Sequence, residues 1–138
     1  MGAGLNQIKC LIVDDDEDDQ EIFATALRET DLKNAYCIFA DDAVEALEKL
    51  NNNFQPDYIF LDLNMPRIGG MECLSEIRKL DHLQQVPIAI YSTSSDENSK
   101  AQAYRLGATA FISKPTRIDD LVRKLNDFFT AFKLVQGT

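Results

Sequence analysis

Three observations on this chain predict one α/β domain: a five-stranded parallel sheet, doubly wound, with helices on both faces. Short apolar runs alternate with segments of helical periodicity, roughly five times over. The runs are too short for helices and do not alternate polar with apolar, the pattern of strands buried on both faces. Several of them end abruptly on a polar group, at Asp14, Asp62, Ser92 and Lys114. Strict strand and helix alternation demands right-handed crossovers between parallel neighbours.

Ile8-Lys9-Cys10-Leu11-Ile12-Val13 is the first strand, and it stops at the acidic run from Asp14 to Asp19. Ile22, Phe23, Ala26 and Leu27 then recur at helical spacing. Asp16 is placed to cap that helix, and the acids behind it sit at its positive end. Asp14 and Asp15 precede the helix, so capping does not explain them. Tyr36-Cys37-Ile38-Phe39 is the second strand, followed by a helix through Val44, Ala46, Leu47 and Leu50 that runs out in Asn51-Asn52-Asn53.

Tyr58-Ile59-Phe60-Leu61 is the third strand and stops on Asp62. Pro66 cannot continue a ladder, and Gly69-Gly70 lets the chain turn into a helix carrying Met71, Leu74, Ile77 and Leu80. The fourth strand, from Val86 to Tyr91, ends on Ser92-Thr93-Ser94-Ser95. Ser94 with Glu97 fits a capping box, and Gly107 after Leu106 fits a helix C-cap. Ala110-Phe111-Ile112 is a short fifth strand ending on Ser113-Lys114-Pro115. The last helix follows through Ile118, Leu121, Val122, Leu125, Phe128 and Phe132. Phe128, Phe129 and Phe132 cannot all face inward with Leu121 and Leu125, so one of them is expected to be partly exposed. The domain is expected over 8–132, between an N-terminal extension at 1–7 and a C-terminal tail at 133–138.

A chain of 138 residues suits one domain with a real core. Its net charge of -9 argues against direct binding to nucleic acid or an anionic membrane and favours cations. Cys10, Cys37 and Cys73 form no CxxC pair and read as reduced, buried thiols of a cytoplasmic protein. No apolar run is long enough to span a membrane, and Met1 to Gln7 lacks an export signal.

Parallel topology brings the carboxyl ends of all strands to one rim, and ligands of open α/β sheets bind there. In the flavodoxin-like order 2-1-3-4-5, strands one and three are neighbours, which puts Asp14 and Asp15 beside Asp62. Carboxylates held at about 4 Å repel by roughly 4 kcal/mol per pair at an effective dielectric near 20. Such a cluster recruits a cation. Mg²⁺ suits it, because that ion takes one or two carboxylates, keeps waters and leaves room for a phosphate oxygen. Lys114 adds a compact positive charge and Ser92 a hydroxyl donor. The inventory matches phosphoryl transfer to a carboxylate, with Asp62 as nucleophile and the others as stabilisers.

Val13-Asp14-Asp15, Asp62-Leu63-Asn64-Met65-Pro66 with Gly70, Ser92 after the fourth strand and Lys114-Pro115 after the fifth jointly resemble the response-regulator receiver domain of two-component signalling. The resemblance implies that Asp62 accepts a phosphoryl group from a phosphohistidine on a histidine kinase or histidine phosphotransfer protein. It implies Mg²⁺ bound directly by Asp15, Asp62 and the backbone carbonyl of Asn64, with Asp14 acting through water. Lys114 and Ser92 would steady the phosphoryl group, Ser92 and Phe111 would form a coupled switch, and Pro115 would follow a cis peptide bond. Thr93 and Thr116 depart from the family's usual small and apolar residues. Asn64 and Ser94 flank the path of an attacking water. The expected output is contact with a downstream protein through the fourth helix, fifth strand and fifth helix, by a monomer or a weak phosphorylation-dependent dimer. With the chain ending at Thr138, a stand-alone receiver is expected.

Four rivals share parts of this pattern. A phosphatase of the haloacid dehalogenase type also uses a strand-end Asp with Mg²⁺, but wants a second acid where Asn64 stands. A flavodoxin cradles phosphate with Ser, Thr and Gly, whereas this first loop is acidic. A phosphorelay shuttle, or a degenerate receiver that binds partners without phosphorylation, keeps the fold but changes the chemistry's purpose.

Overall fold

The computed structural model describes residues 7–133. Five strands, β1 (Ile8–Val13), β2 (Ala35–Ala40), β3 (Tyr58–Leu61), β4 (Ile88–Ser92) and β5 (Ala110–Ser113), form one sheet in the order β2-β1-β3-β4-β5. Every neighbouring pair is parallel, as the alternation demands. The helices are α1 (Glu17–Glu29), α2 (Ala43–Asn51), α3 (Gly70–Arg78), α4 (Glu97–Arg105) and α5 (Ile118–Ala131). A 3-10 turn over Asp81–Leu83 fills what the sequence offers as loop. Of the expected extension and tail, all but Gln7 and Lys133 lie outside the described residues.

Because side chains alternate along a strand, each strand feeds two cores. Leu11, Val13, Ile59, Leu61, Ile88 and Ile90 pack against α2, α3 and α4. Cys10, Ile12, Tyr58, Phe60, Ala89 and Tyr91 meet α1 and α5 on the opposite face. Burial pushes the Cys37 and Cys73 thiols up to about 12 and Cys10 higher still, so all three stay protonated at neutral pH.

Some helix details follow expectation and others differ. Asp16 caps α1, its carboxylate accepting from the amides of Asp18 and Asp19. The cap of α4 is Asp96 rather than Ser94: its carboxylate accepts from the Ser99 amide, two residues further on than the capping-box spacing suggests. A carboxylate is the stronger acceptor at a positive helix end. Gly107 follows α4 at φ 110, a conformation open to glycine. Ile22 and Val44, counted in the apolar stripes of α1 and α2, are 44% and 39% exposed. Each helix turns only one side to the sheet, and these two residues lie on the solvent margin of that side. In α5 the aromatic crowding resolves as expected, with one ring left partly exposed: Phe128 and Phe129 are both buried, with edge contacts to Tyr58 at 5.6 and 4.9 Å between ring centroids. Offset edge packing fits two rings where face-to-face stacking would not. Phe132 is the partly exposed one, against Phe128. Its carbonyl accepts the Tyr58 hydroxyl at 2.7 Å, which ties the end of α5 to β3.

Candidate functional site

The sheet ladder runs one residue past three strands and fixes the polar residue that follows each. The Asp14 amide donates to the Ala40 carbonyl, the Asp62 amide to Val13 and the Lys114 amide to Ser92. Asp14, Asp62 and Ser92 are buried at one rim. A close turn holds the third strand's exit in place: the Gly70 amide donates to the Leu63 carbonyl, and a Cβ on Gly70 would overlap the Asp62 carbonyl oxygen. Arg67 pairs with Asp42, tying this exit loop to the start of α2.

Asp14, Asp15 and Asp62 each offer a carboxylate oxygen within 4.8 Å of the others. An all-oxygen set of this charge, open to solvent at Asp15, is the chemistry a hard divalent cation takes. The Lys114 ammonium sits among the acids at 2.9 Å from Asp14, 2.8 Å from Asp19 and 3.2 Å from Asp62. It also lies 5.1 Å from the Tyr91 ring centroid. Three carboxylates thus share one ammonium. Burial alone would pull Lys114 down, but hydrogen bonds to Asp19 and Asp14 and the Asp62 charge hold it above the ordinary lysine range. Burial pushes Asp14 up, partly offset by Lys114 and by the Asp16 amide that its carboxylate accepts.

An acid raised in the fold binds its proton more readily folded than unfolded, so its stabilising protonated form is present at low pH and lost as pH rises through the folded value. Ionised Asp14 is a cost at neutral pH. Asp14→Asn is expected to raise the thermal midpoint of the metal-free protein by a few degrees at neutral pH. The gain should shrink as pH falls into the carboxylate range, and an equal gain at both ends of a pH series of melts would contradict it.

Ser92 is fully buried, and its hydroxyl oxygen accepts from the Ser94 amide at 3.2 Å and from the Asn64 side chain at 3.4 Å. Asn64 also donates to the Ser94 hydroxyl at 2.9 Å, bridging the loops after β3 and β4. Phe111 is half-buried against the α2, α3 and α4 core, with the Lys100 ammonium 5.9 Å from its ring. The Lys114–Pro115 bond, expected cis, is trans, and no peptide bond among the described residues is cis. Trans is the cheaper isomer by about 0.5–1 kcal/mol, and Lys114 reaches the acids from it.

Three residues of this rim escape a sequence reading. Asp19 passes for a helix-end acid, yet it contacts Lys114. Gln20 lies on the buried stripe of α1 with Phe23 and Leu27, and a polar residue on an apolar stripe was the available signal. Its side chain donates to the Asp14 carbonyl at 2.7 Å and to Asp41 at 2.9 Å, bracing the first acidic loop. Tyr91 counts as strand core, and its ring turns out to floor the lysine.

The response regulator receiver domain family matches residues 10–126. The response regulator Rcp1 of Synechocystis sp. is 28% identical over 132 residues, 92% of this chain and 83% of that protein. The transcriptional regulatory protein PrrA of Mycobacterium tuberculosis is 30% identical over 125 residues, covering 91% of this chain but about half, 51%, of that protein. The phosphorylated cyanobacterial phytochrome response regulator RcpA superposes with a TM-score of 0.81 at 26% identity, over 91% of this chain and 94% of that one. Mn(2+)-bound Rcp1 shares the fold at a TM-score of 0.78 and 24% identity, over 95% and 99%. Receiver domains are signalling domains that work with histidine kinases and downstream targets, not ordinary enzymes. The matched span begins inside β1 and closes inside α5, so it takes in all the strand ends that build the rim, and this chain belongs to the response regulator receiver domain family of two-component signalling.

Proposed function

We propose that Asp62 is the phosphoacceptor of this receiver. The observation that carries this is the Lys114 ammonium 3.2 Å from Asp62, on a carboxylate that shares a cation-binding cluster with Asp14 and Asp15. An Asp62 oxygen attacks the phosphorus of a phosphohistidine, the P–N bond breaks, and its electron pair stays on the imidazole nitrogen, which picks up a proton. Asp15, Asp62 and the Asn64 carbonyl would hold Mg²⁺ directly and Asp14 through water; that ion supplies neutralisation of the charge on the phosphoryl oxygens. Lys114 takes part of the same charge and orients the group. The chain so assists its own phosphorylation and later hydrolysis.

For Ser92 to donate to a phosphoryl oxygen, its hydroxyl turns away from Asn64 and Ser94, and Phe111 follows into the space released. That coupling carries the signal to α4, β5 and α5 and from there to a protein target. The donor is a histidine kinase or a histidine phosphotransfer protein of the cytoplasm. The chain acts as a monomer or a weak dimer formed on phosphorylation. Acidity sets it against nucleic acid, and among the described residues no helix is long and apolar enough to cross a membrane. Incubation with Mg²⁺ and a small acyl phosphate is expected to add one phosphoryl mass to the intact chain, and chelation to prevent it. An unchanged mass with either acyl phosphate or a phosphorylated kinase would remove the proposal.

A further inference from the structure

The nearest partner of the Lys114 ammonium is not the acceptor but Asp19, at 2.8 Å from the first turn of α1. An ammonium has three donors, and Asp14, Asp19 and Asp62 take all of them. When Asp62 becomes an acyl phosphate its donor passes to the phosphoryl group, while Asp14 and Asp19 still hold the other two. Drawing the ammonium fully onto the multiply charged phosphoryl oxygens means loosening one of these two. Exposure selects it. The side chains of Asp14 and Asp62 are 1% and 7% exposed, that of Asp19 30%. Water can solvate Asp19 when it lets go, whereas releasing Asp14 would leave a charge unpaired in the interior. The ammonium itself is stationed by the buried Tyr91 ring beneath it. The acid on the helix is the part free to move.

Resting on Asp62 as phosphoacceptor, we propose that Asp19 is a positioning residue that competes with the phosphoryl group for Lys114. It holds the ammonium in the resting site and yields it when Asp62 is loaded. Its charge therefore sets how tightly the rim takes an anion on the acceptor. Asp19→Asn keeps the side chain's size and the amide that Asp16 caps while removing the competing charge.

Beryllofluoride at saturating Mg²⁺ serves as the phosphoryl stand-in, titrated by backbone amide shifts around Asp62. Asp19→Asn is expected to bind it about 3–10-fold more tightly, with Asp19→Glu returning toward wild type. In a Lys114→Met background the gain should vanish, because the competition runs through the ammonium. With neither metal nor anion present, the Lys114 ammonium protons of Asp19→Asn should exchange with solvent faster than those of wild type. Unchanged affinity in Asp19→Asn, or the same gain without Lys114, overturns the inference. A wild-type chain that takes no beryllofluoride would sink the phosphoacceptor proposal, and this one with it. Wild-type uptake with an unaltered Asp19→Asn sinks this one alone.

Discussion

Asp62→Ala is expected to abolish phosphoryl uptake while leaving the fold intact. No other acid at the rim can stand in. Asp14 is buried, with one oxygen accepting the Asp16 amide and the other the Lys114 ammonium, and Asp19, on α1, pairs with the lysine but does not belong to the cation-binding cluster of Asp14, Asp15 and Asp62. Asp15 is exposed and sits before the helix, without the ladder hydrogen bond that fixes Asp14 and Asp62. With the attacking oxygen removed there is no covalent step to slow, so label should fall to background. Stability should hold or rise by about 1 kcal/mol, since one member of a mutually repelling cluster is gone and Lys114 keeps two partners. Intact mass after acyl phosphate treatment, paired with thermal unfolding, separates the two effects. Undiminished label on a folded Asp62→Ala chain would move the acceptor elsewhere.

Lys114→Met should have the largest effect on stability. It keeps the alkyl stem over Tyr91 but leaves three carboxylates with no counter-charge, and removing one member of a buried ion pair typically costs about 3–5 kcal/mol. Because Lys114 is raised above its ordinary value in the fold, its contribution is fully present below the unfolded lysine range and is lost only as pH rises through the folded value. The deficit should therefore be full at neutral pH. It should narrow as pH falls and the acids protonate, and narrow again when millimolar Mg²⁺ replaces the missing charge. Phosphoryl uptake should slow about a hundredfold, the usual effect of losing one transition-state donor. Urea unfolding with and without Mg²⁺ checks this, and a metal-free variant as stable as wild type would show that the ammonium balances nothing.

Much of this was legible in the chain. Apolar runs of strand length, punctuated by Asp62, Pro66 and Gly70, report local preferences, and strict alternation leaves few topologies once crossovers must be right-handed. Strand order then places Asp14, Asp15, Asp62, Ser92 and Lys114 on one rim without any side-chain geometry. The boundaries were less secure. Ser94 and Asp96 are both good caps, and only the path of the loop from Ser92 decides that α4 starts at Glu97. Ile22 and Val44 satisfy helical periodicity yet lie outside the core, because periodicity says which residues share a face and not how wide a face the sheet covers.

The pattern of apolar runs and breaks specifies the sheet, its order and the set of polar residues at its carboxyl edge. Which acid closes on Lys114 was decided by tertiary structure alone. Asp18 and Asp19 are equivalent as helix-end acids, but successive residues on a helix point about 100° apart. The packing of Phe23, Ala26 and Leu27 against Phe60 and Tyr91 sets the rotation of α1 on the sheet, and that rotation turns Asp19 toward the ammonium.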